Sequence, residues 1–316
     1  MADSVPSVPV GGGFPDPGRI LLVTRKPGRP SPGALSDLLV ESSVVAGLKE
    51  ADPERVVAWA VADDLFAWGS LFGDADYLAR VSEISPRDFG RVIHPDAGFP
   101  DDERSRPDMT RHALRALAGG APAAQPVIVL PESDEAWASG RRSLLTGEDA
   151  AAPGPPFVLL CPGSFQGPLA WPLARWIDLE DQLREGGART AVLDLAGPVE
   201  EATPFRSPRL DGLPPGRAAA LVRLADLAIG DDSAALHLAG LLRRPGIALC
   251  GCTRGPQIFG TYEVVRVVQT DMLCGGCLCD PRRGWRRSCG YGCEAMWALT
   301  AKAVVTVAAG IVQGMV

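Results

Sequence analysis

The chain has 316 residues, 46% of them hydrophobic, which is enough for about two domains with ordinary cores. Its formal net charge of −7 argues against a general nucleic-acid-binding protein. Residues 1–18 are rich in Pro, Gly and Ser and lack the basic start and apolar centre of a secretory signal peptide, so we expect a disordered tail.

The first half of the chain predicts alternating strands and helices. Short apolar, β-branched runs indicate strands, and apolar residues at helical spacing indicate helices. Ser36 or Asp37 is the expected N-cap of the first helix. The predicted elements are strands over 19–24, 56–61 and 127–130, an amphipathic stretch up to residue 72, and helices over 37–49 and 110–118, with 84–108 irregular.

The second half resumes the alternation after a predicted linker over 136–156, which is rich in Arg, Gly, Ala and Pro. The expected elements are strands over 157–161, 190–193, 227–230 and 247–250 and helices over 176–185, 215–225, 234–242 and 303–316. The last helix is too short to cross a bilayer, so we expect it to dock. The pattern predicts an α/β fold of two doubly wound domains, over 19–150 and 151–300, facing each other across a cleft, with a C-terminal helix over 301–316.

A strand–turn–helix–strand unit over 226–250 organises the second domain. Its turn, Asp231-Asp232-Ser233, would lie at the carboxyl end of a parallel strand, where open α/β sheets bind ligands. The helix that begins at Ala234 would aim free N–H groups at this turn, as anion sites do. His237 lies one turn into that helix. The pattern is equally compatible with an ordinary helix that has a capping Ser233 and a His237 satisfied within the core.

Five of the eight cysteines fall within 20 residues. Two short pairs about a dozen residues apart are typical of a structural site for zinc or iron with four thiolate ligands. The expected ligands are Cys274, Cys277, Cys289 and Cys293, with Cys279 left over. The alternative is a set of reduced, buried or disulfide-prone thiols. The Arg-rich segment 282–287 between the pairs is either a solvated loop or a finger that meets an anionic acceptor or a neighbouring subunit.

Four segments carry a family resemblance. Pro162-Gly163-Ser164, the Trp-Pro segment 171–176 and the segment 232–239, which opens Asp-Ser-Ala-Ala, resemble the second half of the ADP-heptose:lipopolysaccharide heptosyltransferases, glycosyltransferase family nine. The segment 36–39, Ser-Asp-Leu-Leu, is similar to a Gly-Asp-hydrophobic segment of that family. The resemblance implies a GT-B fold and transfer of a heptose, with inversion, from a nucleotide sugar such as ADP-heptose to a saccharide or protein acceptor. A protein-modifying subgroup is similar in having a cysteine-bound iron.

The resemblance also implies roles for individual residues. Asp37 matches the general base, although by itself it could simply cap its helix. The donor-binding positions are Ser164, Asp232, Ser233, Ala234 and His237. Beyond the structural zinc or iron, the family needs no metal for its chemistry. The implied location is the bacterial cytoplasm, with peripheral attachment to the inner face of the membrane and homo-oligomer formation left open.

The sequence departs from the family at three places. Ala234 and Ser36 stand where the family has Gly, and residues 168–170, Pro-Leu-Ala, stand where a Lys precedes the Trp-Pro pair. Arg175 or Arg254 could supply the missing cation. The departures keep two other hypotheses open: a non-catalytic nucleotide-sugar-binding or assembly protein on a GT-B frame, and a GT-B epimerase.

Overall fold

All the strands that the structure describes pair in parallel, and they form two separate sheets. The computed structural model describes residues 16–23, 34–85, 87, 89–93, 124–147, 154–163, 169–195, 204–277 and 292–313. The predictions for residues 1–15 of the tail, for the helix over 110–118 and for Ser164, Cys279 and Cys289 lie outside these residues. The tail prediction is wrong for residues 16–18, because the first strand begins at Asp16. The contacts divide the chain into two units, Met1–Pro131 and Glu132–Val316, so the division precedes the boundary expected at residue 150.

The first unit contains a four-stranded sheet in the order β3-β2-β1-β4. Its elements are β1 (Asp16–Val23), α1 (Ala34–Ala51), β2 (Val57–Val61), α2 (Phe66–Gly69), β3 (Tyr77–Arg80) and β4 (Phe89–Ile93). The described side chains of β1 and all those of β2 are buried and apolar, as expected for parallel strands covered on both faces.

Three further predictions for this unit are wrong. Because α1 begins at Ala34, Ser36 and Asp37 lie inside its first turn and cannot be its N-cap. The stretch expected to be irregular contains β4, whose apolar residues pair with β1. The segment 127–130 is not a strand, since it forms only one isolated antiparallel bridge between Phe72 and Ile128.

The second unit contains a five-stranded sheet in the order β6-β5-β7-β8-β9. Its strands are β5 (Phe157–Cys161), β6 (Arg189–Val192), β7 (Leu227–Gly230), β8 (Gly246–Cys250) and β9 (Val265–Gln269). Its helices are α3 (Glu132–Thr146), α4 (Leu173–Glu185), α5 (Pro215–Leu224), α6 (Ala234–Leu241), α7 (Gly255–Phe259), α8 (Glu294–Ala298) and α9 (Ala301–Gln313). The strand order reverses between β5 and β7, which makes that pair the topological switch point.

The predicted linker over 136–156 is wrong at its start, because it contains most of α3. This helix packs on α5, and Arg142 pairs with Asp226 at 3.1 Å and donates to the carbonyl of Leu224. At its amino-terminal end, the carboxylate of Glu135 accepts from Arg223 at 2.7 Å. Arg142, one of the residues that suggested a linker, therefore helps to attach α3 to the second unit.

The Trp-Pro segment belongs to the core of the second unit. Trp171 and Trp176 are fully buried and pack edge to face at 5.0 Å. The indole N–H of Trp171 donates to the carbonyl of Leu299, between α8 and α9, at 3.1 Å. The expected docking of the last helix is confirmed, since α9 packs on α4 and buries Ala301, Val304 and Ala308. Among the described helices, none is both long and apolar enough to cross a bilayer.

Candidate functional site

The turn after β7 is locked to the end of β5 across the switch point. The carboxylate of Asp231, which is buried, accepts the backbone N–H of Gly163 at 2.9 Å. A Cβ at position 163 would lie 2.6 Å from both Asp231 Oδ1 and Ser233 Cβ, closer than atoms can approach. Only glycine allows this contact, so Gly163 fixes the position of the turn.

Helix α6 begins directly at this turn, as the sequence predicts. Ser233 is its N-cap residue in an extended conformation, but its hydroxyl makes no capping hydrogen bond. Within the described part of the chain, the buried Oγ of Ser233 has no hydrogen-bond partner. The first N–H groups of a helix have no acceptors inside it and carry the positive end of the dipole. The turn thus combines N–H groups that have no acceptor inside the helix with a hydroxyl that has no partner among the described residues, the features of an anion-binding site.

His237 lies beneath the turn and is fully buried. Its ring stacks on Phe259 with a centroid distance of 4.9 Å and meets the ring of Tyr262 edge-on at 5.8 Å. The Nδ1 atom is 3.2 Å from the Tyr262 hydroxyl, and Nε2 is 4.0 Å from Oδ1 of Asp232. The imidazole therefore connects the turn Asp231–Ser233 to Phe259 on α7 and to Tyr262, which follows α7.

The loop after β8 borders the same edge of the sheet. The side-chain amide of Gln269 donates to the carbonyl of Thr253 at 2.7 Å and accepts the N–H of Gly255 at 3.2 Å, so β9 holds this loop. Thr253 is 4% exposed, and within the described residues its hydroxyl has no partner. Arg254 follows in this loop, whereas Arg175, the other candidate cation, lies in the first turn of α4.

The structure adds Cys252 to the predicted cysteine group. Cys252 lies in the loop after β8 and its thiol hydrogen-bonds to Cys293, just before α8. That hydrogen bond lowers the pKa of Cys293 to about 6, whereas the same bond, together with burial, raises the pKa of Cys252. Cys274 and Cys277 lie in a turn that is attached to the loop because Gly276 N–H donates to the Gly251 carbonyl at 2.8 Å.

The donor set has the right chemistry for zinc or iron, since thiolates are the ligands that these sites use. The described residues include no group of three or more side chains placed to hold a metal ion. The predicted ligand Cys289 lies outside them. Cys274, Cys277 and Cys293 all pack against the same hydrophobic core, so they stay candidates for one centre.

Asp37 is located in the first unit. It is half-buried in the first turn of α1, the helix that follows the central strand β1. The amino end of a helix after a parallel strand lies at the carboxyl edge of the sheet, the ligand-binding edge of open α/β units. Its position is compatible with a role in chemistry, and the capping alternative is removed because α1 begins three residues earlier.

The structure thus brings Asp232, Ser233, Ala234 and His237 together around one turn. The sequence pattern placed Asp231 in the turn but did not reveal its contact with Gly163. It missed the neighbouring residues Thr253, Phe259 and Tyr262 and, near the cysteines, Cys252, because these positions are joined to the turn or to the cysteines only by tertiary packing.

No protein-family model matches the chain, and no curated protein is significantly similar to it. Solved structures are similar over nearly its whole length. The glycosyl transferase family 9 from Veillonella parvula covers 94% of this chain and 97% of its own, with a TM-score of 0.65 and 15% identity. The ADP-heptose lps heptosyltransferase II of E. coli covers 94% and 99%, with a TM-score of 0.58 and 13% identity.

A third similar structure is the iron-containing dodecameric glycosyltransferase TibC from enterotoxigenic E. coli H10407. It covers 96% of this chain and 78% of its own, with a TM-score of 0.66 and 16% identity. The chain has the GT-B fold. At these identities the likeness establishes the GT-B fold, and the chemistry has to be argued from the site residues.

Proposed function

We propose that the protein is an inverting glycosyltransferase that moves a heptose from ADP-heptose to a saccharide or protein acceptor. The observation that carries the proposal is the turn Asp232–Ala234 at the switch point of the second GT-B unit, where helix α6 begins and where the buried hydroxyl of Ser233 has no hydrogen-bond partner among the described residues. Another similar structure is E. coli heptosyltransferase WaaC with ADP, at a TM-score of 0.57 and 16% identity. That complex supports a nucleoside diphosphate as the ligand.

The donor would bind through its diphosphate. The amino end of α6 supplies N–H groups and positive potential, and Ser233 supplies a hydroxyl. Asp232 and Ala234 border the same turn, and Ser164 follows the Gly163 contact along the chain. The methyl group of Ala234 leaves more room than any larger side chain would, so a phosphate can still approach the helix end.

The reaction needs a base on the acceptor side. Asp37 would take the proton of the acceptor hydroxyl while that oxygen attacks the anomeric carbon from the face opposite the diphosphate. The bond between the anomeric carbon and the diphosphate oxygen breaks, and ADP leaves with an added negative charge. Hydrogen-bond donors aimed at that developing charge stabilise the transition state more than the ground state. Inversion follows from attack on the opposite face.

The chain lacks the Lys that precedes the Trp-Pro pair in the heptosyltransferase family. We therefore propose separately which residue supplies the positive charge beside the phosphates. Arg254 is the better candidate, because it lies in the loop after β8, and β8 is the neighbour of the strand that ends at the donor turn. Arg175 lies on α4, which follows the Gly163 loop instead. Either guanidinium would interact with a phosphate through charge-assisted hydrogen bonds.

The direct test is turnover of ADP-heptose by the purified protein. Release of ADP would be measured with donor alone, with heptose-deficient lipopolysaccharide core and with a cell protein fraction, and labelled heptose would be followed into the product. Acceptor-dependent ADP release supports transfer. Tight ADP binding without any turnover would instead support a non-catalytic nucleotide-sugar-binding protein, and a changed free sugar would support an epimerase.

We also propose a structural zinc or iron ion held by Cys274, Cys277, Cys289 and Cys293. The description of TibC as iron-containing supports this, as does the attachment of the 274–277 turn to the loop that carries Cys252. Such an ion would stabilise the fold and take no part in the transfer, since four thiolates leave no open position. Assembly of several copies, cytoplasmic location and peripheral membrane attachment stay predictions.

A further inference from the structure

The backbone of Arg254 is held on both sides by the side chain of Gln269. This residue, the last of β9, donates its amide N–H to the carbonyl of Thr253 at 2.7 Å and accepts the backbone N–H of Gly255 at 3.2 Å. Arg254 lies between these two peptide groups, in an extended conformation, as the N-cap residue of α7. Its backbone is therefore tied to the sheet, while the residue itself is exposed.

The side chain of Arg254 lies against the 274–277 turn, which carries two of the clustered cysteines. A Cβ added at Gly276 would lie 2.4 Å from Cγ, 3.1 Å from Nε and 3.3 Å from Cδ of Arg254. The arginine stem therefore passes directly over the Cα of Gly276. A distance of 2.4 Å is shorter than two carbon atoms can adopt, so a side chain at position 276 would force Arg254 onto another path.

The turn is in turn attached to the loop that contains Arg254. Gly276 is buried, has a φ of +70° and donates its backbone N–H to the carbonyl of Gly251 at 2.8 Å. Within the turn, the N–H of Cys277 donates to the carbonyl of Cys274 at 3.1 Å. The left-handed φ and the contact with Arg254 both favour glycine at position 276. One backbone hydrogen bond and one side-chain contact thus join the turn to the loop after β8.

We propose that the 274–277 turn is a positioning element for Arg254 and fixes the path of its side chain through Gly276. Gln269 fixes the backbone of Arg254, and Gly276 fixes the stem that leads from this backbone to the guanidinium. A long side chain that is already restrained loses less rotamer freedom when it binds a ligand. The turn therefore prepares the guanidinium for binding.

The consequence for the donor rests on the proposed function, in which Arg254 supplies the positive charge beside the phosphates. Arg254 follows β8, and β8 pairs with β7, the strand that ends at the turn Asp232–Ala234. A guanidinium held in one place forms charge-assisted hydrogen bonds to a phosphate at a lower cost in side-chain entropy. The segment that carries Cys274 and Cys277 then contributes to ADP affinity without touching ADP.

The test is Gly276→Ala in the full-length protein, alone and combined with Arg254→Ala. The added methyl group meets the arginine stem in the single variant, whereas that stem is absent from the double variant. Gly147→Ala is the matched control, because Gly147 has a φ of +69° and nothing within 4 Å of its Cβ position. It introduces a similar backbone strain without the contact. Urea unfolding and isothermal titration calorimetry with ADP are measured on all four variants and on the wild type.

We expect Gly276→Ala to lower the urea midpoint more than Gly147→Ala does, and we expect this excess to vanish in the Arg254→Ala background. Arg254→Ala should weaken ADP binding roughly 10- to 150-fold, the effect of losing a hydrogen bond to a charged group. Gly276→Ala should weaken it about three- to tenfold, as expected for residues in contact, and the double variant should bind ADP like Arg254→Ala. Gly147→Ala should bind ADP like the wild type.

Independent effects of the two substitutions would overturn the proposal. If the losses in urea midpoint simply add in the double variant, Gly276 does not act on Arg254. An ADP loss from Gly276→Ala that persists in the Arg254→Ala background would show that the turn affects the donor by another route.

The two proposals fail separately. If the wild type does not bind ADP, the donor assignment is lost, and the urea midpoints still decide whether the turn fixes Arg254. If ADP binds equally well to the wild type and to Arg254→Ala, the turn Asp232–Ala234 keeps its donor assignment, and the positioning of Arg254 for a phosphate is overturned.

Discussion

Replacing Ser233 by Ala separates ligand binding from helix stability. An N-cap serine usually stabilises its helix by about 1 kcal/mol through a side-chain hydrogen bond. Ser233 makes no such bond, and within the described residues its buried hydroxyl has no partner. The substitution therefore removes an unsatisfied group and leaves the Cβ that contacts the Gly163 loop. We expect the free energy of unfolding to change by less than about 0.5 kcal/mol.

The affinity for ADP should change far more. If the hydroxyl donates to a diphosphate oxygen, it makes a hydrogen bond to a charged group, worth about 1.5–3 kcal/mol. That range corresponds to a loss of roughly 10- to 150-fold in the affinity of ADP. Isothermal titration calorimetry with ADP measures the affinity, and urea unfolding of the same samples measures the stability.

The control for this variant is Ser143→Ala. Ser143 is exposed on α3, and its hydroxyl donates to the carbonyl of Ser139 within the same helix at 3.1 Å. This substitution should leave ADP affinity unchanged. An Ser233→Ala protein that binds ADP like the wild type but unfolds at lower urea would refute the reasoning, because it would make Ser233 an ordinary cap.

Three further predictions concern the base, the turn and the metal. Asp37→Asn should lower the rate of transfer about 10²- to 10⁴-fold with ADP affinity unchanged, whereas Glu50→Gln on the exposed end of the same helix should not; undiminished turnover would remove Asp37 from the mechanism. Gly163→Ala should destabilise the protein by about 1–3 kcal/mol in urea unfolding, because its Cβ would lie 2.6 Å from its neighbours, and unchanged stability would contradict that contact. Elemental analysis should find one zinc or iron ion per chain in the wild type. Cys277→Ser should lose this ion, whereas Cys279→Ser should largely keep it. A protein without metal, in which all five clustered thiols titrate freely, would contradict the proposed site.

The turn Asp231–Ser233 was predictable because its determinants are local. The run 227–230 is short and apolar, Asp231–Ser233 are turn and capping types, and Ala and Leu follow. Strand, turn and helix each depend on neighbours in the sequence, so the pattern places them within a residue. The support beneath the turn was not predictable, since Tyr262 reaches His237 only through the space left by Gly240.

The wrong prediction of a linker at α3 and the missed Cys252 have a common physical cause. Helix α3 has an unremarkable composition, and its place in the second unit depends on distant partners, such as Asp226 for Arg142 and Arg223 for Glu135. Cys252 was separated from the clustered cysteines by more than twenty residues, yet its thiol bonds to Cys293. Contacts between distant segments leave no periodicity or spacing in the sequence, so local patterns could not reveal them.

The packing of α9 has a consequence for the order of events during synthesis. The core of the second unit combines Val158 and Leu160 from β5 with Val304 and Ala308 from α9, and Trp171 needs the Leu299 carbonyl. At ribosomal rates of roughly 5–20 residues per second, the chain from β5 to α9 takes on the order of ten seconds to make. During that interval, the apolar side chains of β5, Trp171 and Trp176 lack the packing partner that α9 provides, because α9 has not yet been translated. The second unit should therefore be the part of the nascent chain that depends most on chaperones.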